Sequence, residues 1–136
     1  MADPYRVKVK NQERISDDYL KVTRYLLKHE QYGGGWTNTL SREVMERGEV
    51  AAVLPFDPVR NEVILIEQFR VGAWSAEWPQ PWLLECVAGI VEPGESPEQM
   101  VRREAREEAG CDITALEPIA RYFSTPGACT EKVDLF

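Results

Sequence analysis

At 136 residues and 15.5 kDa the chain fits the usual size of one domain, and a single compact core is the default expectation. Its 43% hydrophobic and 29% charged residues exclude a disordered or fibrous chain. A formal charge of −7 repels phosphate backbones and anionic lipid. No apolar run nears the roughly 18 residues of a membrane span, so a cytoplasmic location is expected, with no nucleic acid and no membrane among the partners.

Up to Gly48 the chain is polar and weakly periodic. Alternation at Tyr5, Val7 and Val9, and again over Tyr19 to Leu27, predicts short strands. Gly33, Gly34 and Gly35 mark a loop, and without a following G-K-[ST] they are not read as a phosphate cradle. Residues 1–48 are taken as an N-terminal β-rich unit and residues 49–136 as a second domain. In the latter, Val50 to Phe56 is apolar, Asp57-Pro58-Val59-Arg60-Asn61 is turn chemistry, and Glu62 to Phe69 is β-rich, which predicts a hairpin. Trp74, Trp78, Pro79, Pro81 and Trp82 then lead into another apolar strand, Leu83 to Ala88, closed by Gly89. Two readings of the tryptophan segment are open, a partner surface or cover for a core edge.

The next segment predicts a helix. Ser96 suits the N-cap, Pro97 the first helical position, and Gln99 completes a capping box. The helix should run to about Ala109, where Gly110 supplies a left-handed stop. A strand is expected at Ile119 to Phe123 and a loop at Thr125-Pro126-Gly127. Val133, Leu135 and Phe136 alternate with Lys132 and Asp134, so the chain is expected to stop inside a strand and to be a fragment of a longer protein.

Cys86, Cys111 and Cys129 lack C-x-x-C spacing, His29 is the one histidine, and no serine sits in a G-x-S-x-G context. Disulfide frameworks, histidine-ligated metals and histidine-based triads therefore have little raw material. Catalysis has to rest on carboxylates. Glu104, Glu107 and Glu108 share one edge of the helix, where like charges repel by about 0.2 to 0.5 kcal/mol per pair and oppose the helix dipole. Either a hard divalent cation such as Mg²⁺ turns that repulsion into coordination, or the three form a solvated acidic face balanced by Arg102, Arg103 and Arg106.

Gly89, then five residues to Glu95, then seven to Arg103-Glu104-Ala105-Arg106-Glu107-Glu108-Ala109-Gly110-Cys111, resembles the signature of the Nudix hydrolases at each fixed position. Ala105 and Cys111 are smaller than the usual residues at the two apolar positions. The resemblance implies an α/β/α Nudix sandwich with a mixed sheet, preceded by a small antiparallel unit, with the C-terminal part of the fold missing. It makes Glu104 and Glu108 the main metal ligands, Glu107 a further or water-mediated one, and the Ala88 carbonyl a backbone ligand. Gly89 lets the chain approach the pyrophosphate, and Arg103 with Glu95 forms an ion pair that orients the ligands; Gly110 closes the box.

Further stretches resemble the bacterial ADP-ribose pyrophosphatase subfamily: Arg42 to Gly48, Ala51 to Pro55, Glu67-Gln68-Phe69-Arg70, Pro81 to Ala88, and Ser124 to Gly127 with Glu131. What this implies is Mg²⁺-dependent hydrolysis of ADP-ribose to AMP and ribose 5-phosphate, with two or three ions and Mn²⁺ as a substitute. Glu107 and Glu108 stand as the catalytic carboxylates; Arg70 is expected on a phosphate, and Arg42, Glu43, Arg47 and Tyr19 at a substrate site completed across a homodimer by swapped N-terminal strands. Ile90, Thr125, Pro126, Gly127 and Glu131 are further expected contacts. The subfamily's general base is expected beyond residue 136, or else its role falls to Glu107 or Glu131. The rival readings are a hydrolase of another nucleoside-diphosphate sugar or dinucleotide, a module that binds ADP-ribose without cleaving it, and a plain acidic structural domain.

Overall fold

The computed structural model describes residues 5–136, so the first four residues of the N-terminal unit read from the sequence lie outside it. The chain forms two compact units, one running through Arg47 and including Phe123–Glu131, the other made of Gly48–Tyr122 and Lys132–Phe136.

The first unit is an antiparallel sheet of β1 (Val7–Asp17), β2 (Lys21–His29) and β3 (Leu40–Glu46) in that order. β1 and β2 are longer than the short strands the periodicity predicts. Register shifts between Val9 and Asn11 and between Arg14 and Ser16 explain the difference. Each bulge resets which face the side chains point to, so the ladder continues while the period-2 signal fades. Gly34 and Gly35, with φ of +87° and +80°, make the turn between β2 and β3. The returning segment runs along β3: the Met45 N–H donates to the Ala128 carbonyl at 2.8 Å, and the Thr130 N–H to the Met45 carbonyl at 3.0 Å. Glu46 ties the sheet together by accepting from Thr23 Oγ1 at 2.6 Å and from Arg14 Nη2 at 2.9 Å.

In the second unit the elements are β4 (Glu49–Val53), β5 (Phe56–Asp57), β6 (Glu62–Val63), β7 (Ile66–Phe69), α1 (Val71–Ser75), β8 (Trp82–Glu85), β9 (Val87–Ile90), α2 (Pro97–Ala109), β10 (Ala120–Phe123) and β11 (Lys132–Leu135). Four strands form a mixed sheet in the order β10-β11-β4-β9, with β11 parallel and β9 antiparallel to β4. This is the mixed α/β architecture expected, with an antiparallel unit ahead of it. Ala51, Val53 and Val87 meet Met100, Val101 and Ala105 of α2 in the core. Val87, Met100 and Val101 are fully buried, worth about 1.5 to 3 kcal/mol each.

The expected hairpin is reduced to the β5–β6 ribbon, because β4 pairs in the main sheet and β7 pairs with β8. Pro55 has no N–H to continue a ladder, and the flanking Leu54 N–H goes instead to the Phe136 carbonyl at 2.9 Å. The single strand expected over Leu83 to Ala88 breaks at Cys86, one half serving β7 and the other β4. The short helix α1 had no signal in the sequence. Trp74, Trp78 and Trp82 around it are exposed rather than laid over a core edge. No helix among the described residues is long and apolar enough to cross a membrane.

Candidate metal and diphosphate site

α2 is built as its sequence dictates. Ser96 Oγ accepts from the Gln99 N–H at 3.2 Å while Gln99 Oε1 accepts from the Ser96 N–H at 2.8 Å, and Gly110 at φ +63° ends the helix. Burial of Met100, Val101 and Ala105 fixes the rotation of the helix against the sheet. That rotation carries Glu104 and Glu108, one turn apart, to the edge beside β9.

The backbone of β9 meets them there. The Val91 N–H donates to the Glu49 carbonyl at 2.9 Å, and the Ala52 carbonyl accepts from Phe136 on its other side. Because paired and unpaired positions alternate along an antiparallel ladder, Ala51 and Gly89 exchange hydrogen bonds while Ala52 and Ala88 do not. The N–H and C=O of Ala88 therefore point off the open edge of the sheet, on the side where α2 packs against β9. Gly89 is in close contact with Glu104: a Cβ at this position would lie 2.9 Å from Glu104 Oε1 and 3.0 Å from its Cδ and Cγ.

Arg103 organises the acidic edge. Its guanidinium donates to both oxygens of Glu95 at 3.1 and 3.2 Å, to Glu104 Oε1 at 2.5 Å and to Glu107 Oε2 at 3.4 Å. Glu95 first and Glu104 second hold Arg103 charged well above its ordinary range, and Arg103 holds Glu95 below the usual carboxylate range. Glu108 behaves oppositely: although the residue is exposed overall, partial desolvation of its carboxyl, and then the negative charge of Glu104, push it up. Two carboxylates one helical turn apart beside an outward-facing carbonyl are a set of hard oxygen donors, which suits a divalent cation of the Mg²⁺ type. Glu107 is exposed, at 60% against 16% for Glu104, and among the described residues no three His, Cys, Asp or Glu side chains gather around one point.

Arg70, at the end of β7, forms a two-point ion pair with Glu85, Nε to Oε1 at 2.8 Å and Nη2 to Oε2 at 2.5 Å. Sequence reasoning missed Glu85. The one available signal was a lone carboxylate inside the apolar run Leu83 to Ala88. Ile90 is exposed at the end of β9. The other residues named from the sequence lie in the first unit. There Arg47 pairs with Glu131 at 3.4 Å and is held charged first by the Tyr19 hydroxyl and then by Glu131. Glu43 pairs with Arg24 at 2.8 Å, and Arg42 donates to the Ser41 carbonyl. The Thr125 carbonyl accepts from Ala128 and Cys129, closing the turn that holds Pro126 and Gly127.

The NUDIX domain family profile matches residues 45–133, about two thirds of the chain and all of α2 and β9. The chain belongs to the Nudix family. This Nudix chain is 40% identical over 126 residues to an ADP-ribose pyrophosphatase of Escherichia coli K12, covering 93% of the chain and 60% of the relative. It is 36% identical over 130 residues to a GDP-mannose pyrophosphatase of Cronobacter sakazakii, covering 93% of the chain and 68% of the relative. A crystal structure of an ADP compounds hydrolase superposes with a TM-score of 0.73 at 22% identity, covering 96% of this chain and 65% of the other, which establishes the likeness of fold. The Nudix chain thus spans about 60% of the length of the ADP-ribose pyrophosphatase it matches.

Proposed function

We propose that this Nudix domain belongs to a divalent-cation-dependent pyrophosphatase of nucleoside-diphosphate sugars, that its substrate is ADP-ribose, and that the products are AMP and ribose 5-phosphate. The observation that carries the reading is the close packing of Glu104 against Gly89, with Glu108 one helical turn on, at the sheet edge where the backbone of Ala88 points outward. Glu104, Glu108 and the Ala88 carbonyl would hold Mg²⁺, or Mn²⁺ in its place. The bound ions supply charge neutralisation of the diphosphate and a water of lowered pKa. Arg103, fixed by Glu95, sets the position of the Glu104 carboxylate. Arg70 offers a planar fork of donors to a phosphate. Glu107, which is 60% exposed, is assigned to take the proton of the attacking water.

Initial rates with excess Mg²⁺ on ADP-ribose and GDP-mannose, for wild type and Glu108→Gln, test this. ADP-ribose should be preferred, and the variant should lose more than about 100-fold, since removing even an outer partner of a metal ligand costs about 10- to 100-fold. A Glu108→Gln variant with the wild-type rate would remove the assignment. A second reading, hydrolysis of another nucleoside-diphosphate sugar, is supported by the relative named for GDP-mannose, and a reversed preference would select it.

We also propose a cytoplasmic homodimer in which the N-terminal strands pass between subunits. Among the described residues of the first unit only Thr23 and Cys129 are buried, whereas Tyr5, Val7, Val9, Tyr19 and Tyr32 are exposed, which leaves apolar surface for a second copy. Light scattering should give about twice the chain mass of 15.5 kDa, and a mass at that value would remove the dimer.

A further inference from the structure

Arg70 and Glu85 are not cross-strand neighbours. In the β7–β8 ladder Glu85 stands opposite Ile66, and the last pair is Phe69 with Trp82. Arg70 lies four residues beyond Ile66, about 13 Å along the ribbon at the rise of a strand, whereas directly opposed side chains are about 5 Å apart. The two-point contact at 2.8 and 2.5 Å therefore requires the arginine to lie back along the ribbon. Its backbone is fixed at both ends: the Arg70 N–H donates to the Pro81 carbonyl at 2.9 Å, and its carbonyl accepts from the Trp74 N–H at 3.0 Å as the cap of α1. With the backbone held, Glu85 fixes two of the guanidinium nitrogens, Nε and Nη2, and so draws the side chain toward itself.

That direction leads to the site. Glu85 ends β8 and precedes Ala88 by three residues, with β9 starting at Val87, so the partner that holds the arginine stands at the start of the strand that carries the outward-facing Ala88 backbone. We propose that Glu85 is a positioning residue that draws the Arg70 fork back along the ribbon to the Ala88 and Glu108 end of the site, setting the angle at which it meets a substrate diphosphate. The proposal rests on the pyrophosphatase reading. It explains why a carboxylate stands inside the apolar run Leu83 to Ala88, beside a site that binds an anion.

A double-mutant cycle over Glu85→Ala and Arg70→Ala tests it, with Glu85→Gln as the isosteric variant. The readouts are KM and kcat for ADP-ribose, calorimetric affinity for the non-hydrolysable α,β-methylene ADP-ribose with Mg²⁺, and Tm. Glu85→Ala should raise KM and weaken analogue binding about tenfold, with Glu85→Gln between it and wild type, the size expected for an outer partner. Tm should barely move, because the ion pair is partly solvated, with Arg70 48% and Glu85 23% exposed. In the Arg70→Ala background, removing Glu85 should change nothing further. Losses that persist in that background, or unchanged KM and affinity in Glu85→Ala while wild type binds the analogue, overturn the proposal alone. A wild type that neither binds the analogue nor hydrolyses ADP-ribose overturns the pyrophosphatase reading, and the proposal with it.

Discussion

Gly89 is fixed by what lies against it rather than by its own dihedral angles. Its φ is outside the left-handed region, so alanine is acceptable to the backbone, yet the added methyl would sit 2.9 Å from Glu104 Oε1. The atoms in the way belong to the end of a side chain, and they can move. Gly89→Ala should therefore cost less than about 1 kcal/mol of stability while turning the Glu104 carboxylate away from Ala88. Mg²⁺ affinity should fall about 10- to 100-fold, the size of effect seen when the orientation of a ligand is lost. Urea unfolding and a calorimetric Mg²⁺ titration check the two halves of this expectation. A large stability loss with unchanged affinity would show that the methyl is accommodated by the strand instead. Glu104, Glu108 and Gly89 were legible in the sequence because they fall in one contiguous stretch at fixed spacing. Glu85 was not, since its pairing with Arg70 arises from a ribbon register that no local pattern encodes.

The same contrast separates the elements. α2 carries its own start, stop and apolar stripe, and Pro97–Ala109 forms at the boundaries its capping residues predict. Its ends are set by contacts between residues a few positions apart, so local rules locate it even though its stability comes from packing on the sheet. The β-strands depend on partners. Val50 to Phe56 and Glu62 to Phe69 look like the two arms of a hairpin, and the turn between them does form. The strands on either side of that turn have better partners: β4 fills the centre of the mixed sheet between β11 and β9, where Ala51 and Val53 are buried under α2. Burial of apolar area outweighs the proximity of the hairpin arms, and Pro55 removes the donor that would have extended the ribbon. β3 illustrates the limit, since Leu40–Glu46 is specified by pairing with β2 and by the Thr23, Arg14 and Glu46 contacts rather than by its own alternation.

Across the whole molecule the excess of acid over base sets the response to pH. Among the described residues the carboxyls of Glu30, Glu46, Glu49, Glu95 and Glu98 are held below the usual carboxylate range, and only Glu108 is pushed above it. The causes lie in both units. Arg6 bonds Glu30, Thr23 and then Arg14 bond Glu46, and Lys132 bonds Glu49. A carboxyl lowered in the folded state stabilises the fold in full above its unfolded value, about 4.3 for glutamate. As pH falls below that value the unfolded chain takes up protons first, and the contribution disappears as the folded value is crossed. Five groups running in that direction against one predict a Tm that is level from about pH 8 to pH 5 and falls below about pH 4.3. Circular dichroism melts across that range measure it, and a Tm that stays level or rises in acid would show that the ion pairs are too solvated to matter. Glu46→Gln sharpens the test in the first unit, because glutamine still accepts from Thr23 Oγ1 but has no charge for Arg14 and no proton to gain. Its melting curve should start below that of wild type at neutral pH and converge on it in acid, where the wild-type carboxyl is protonated and neither chain carries a charge at this position.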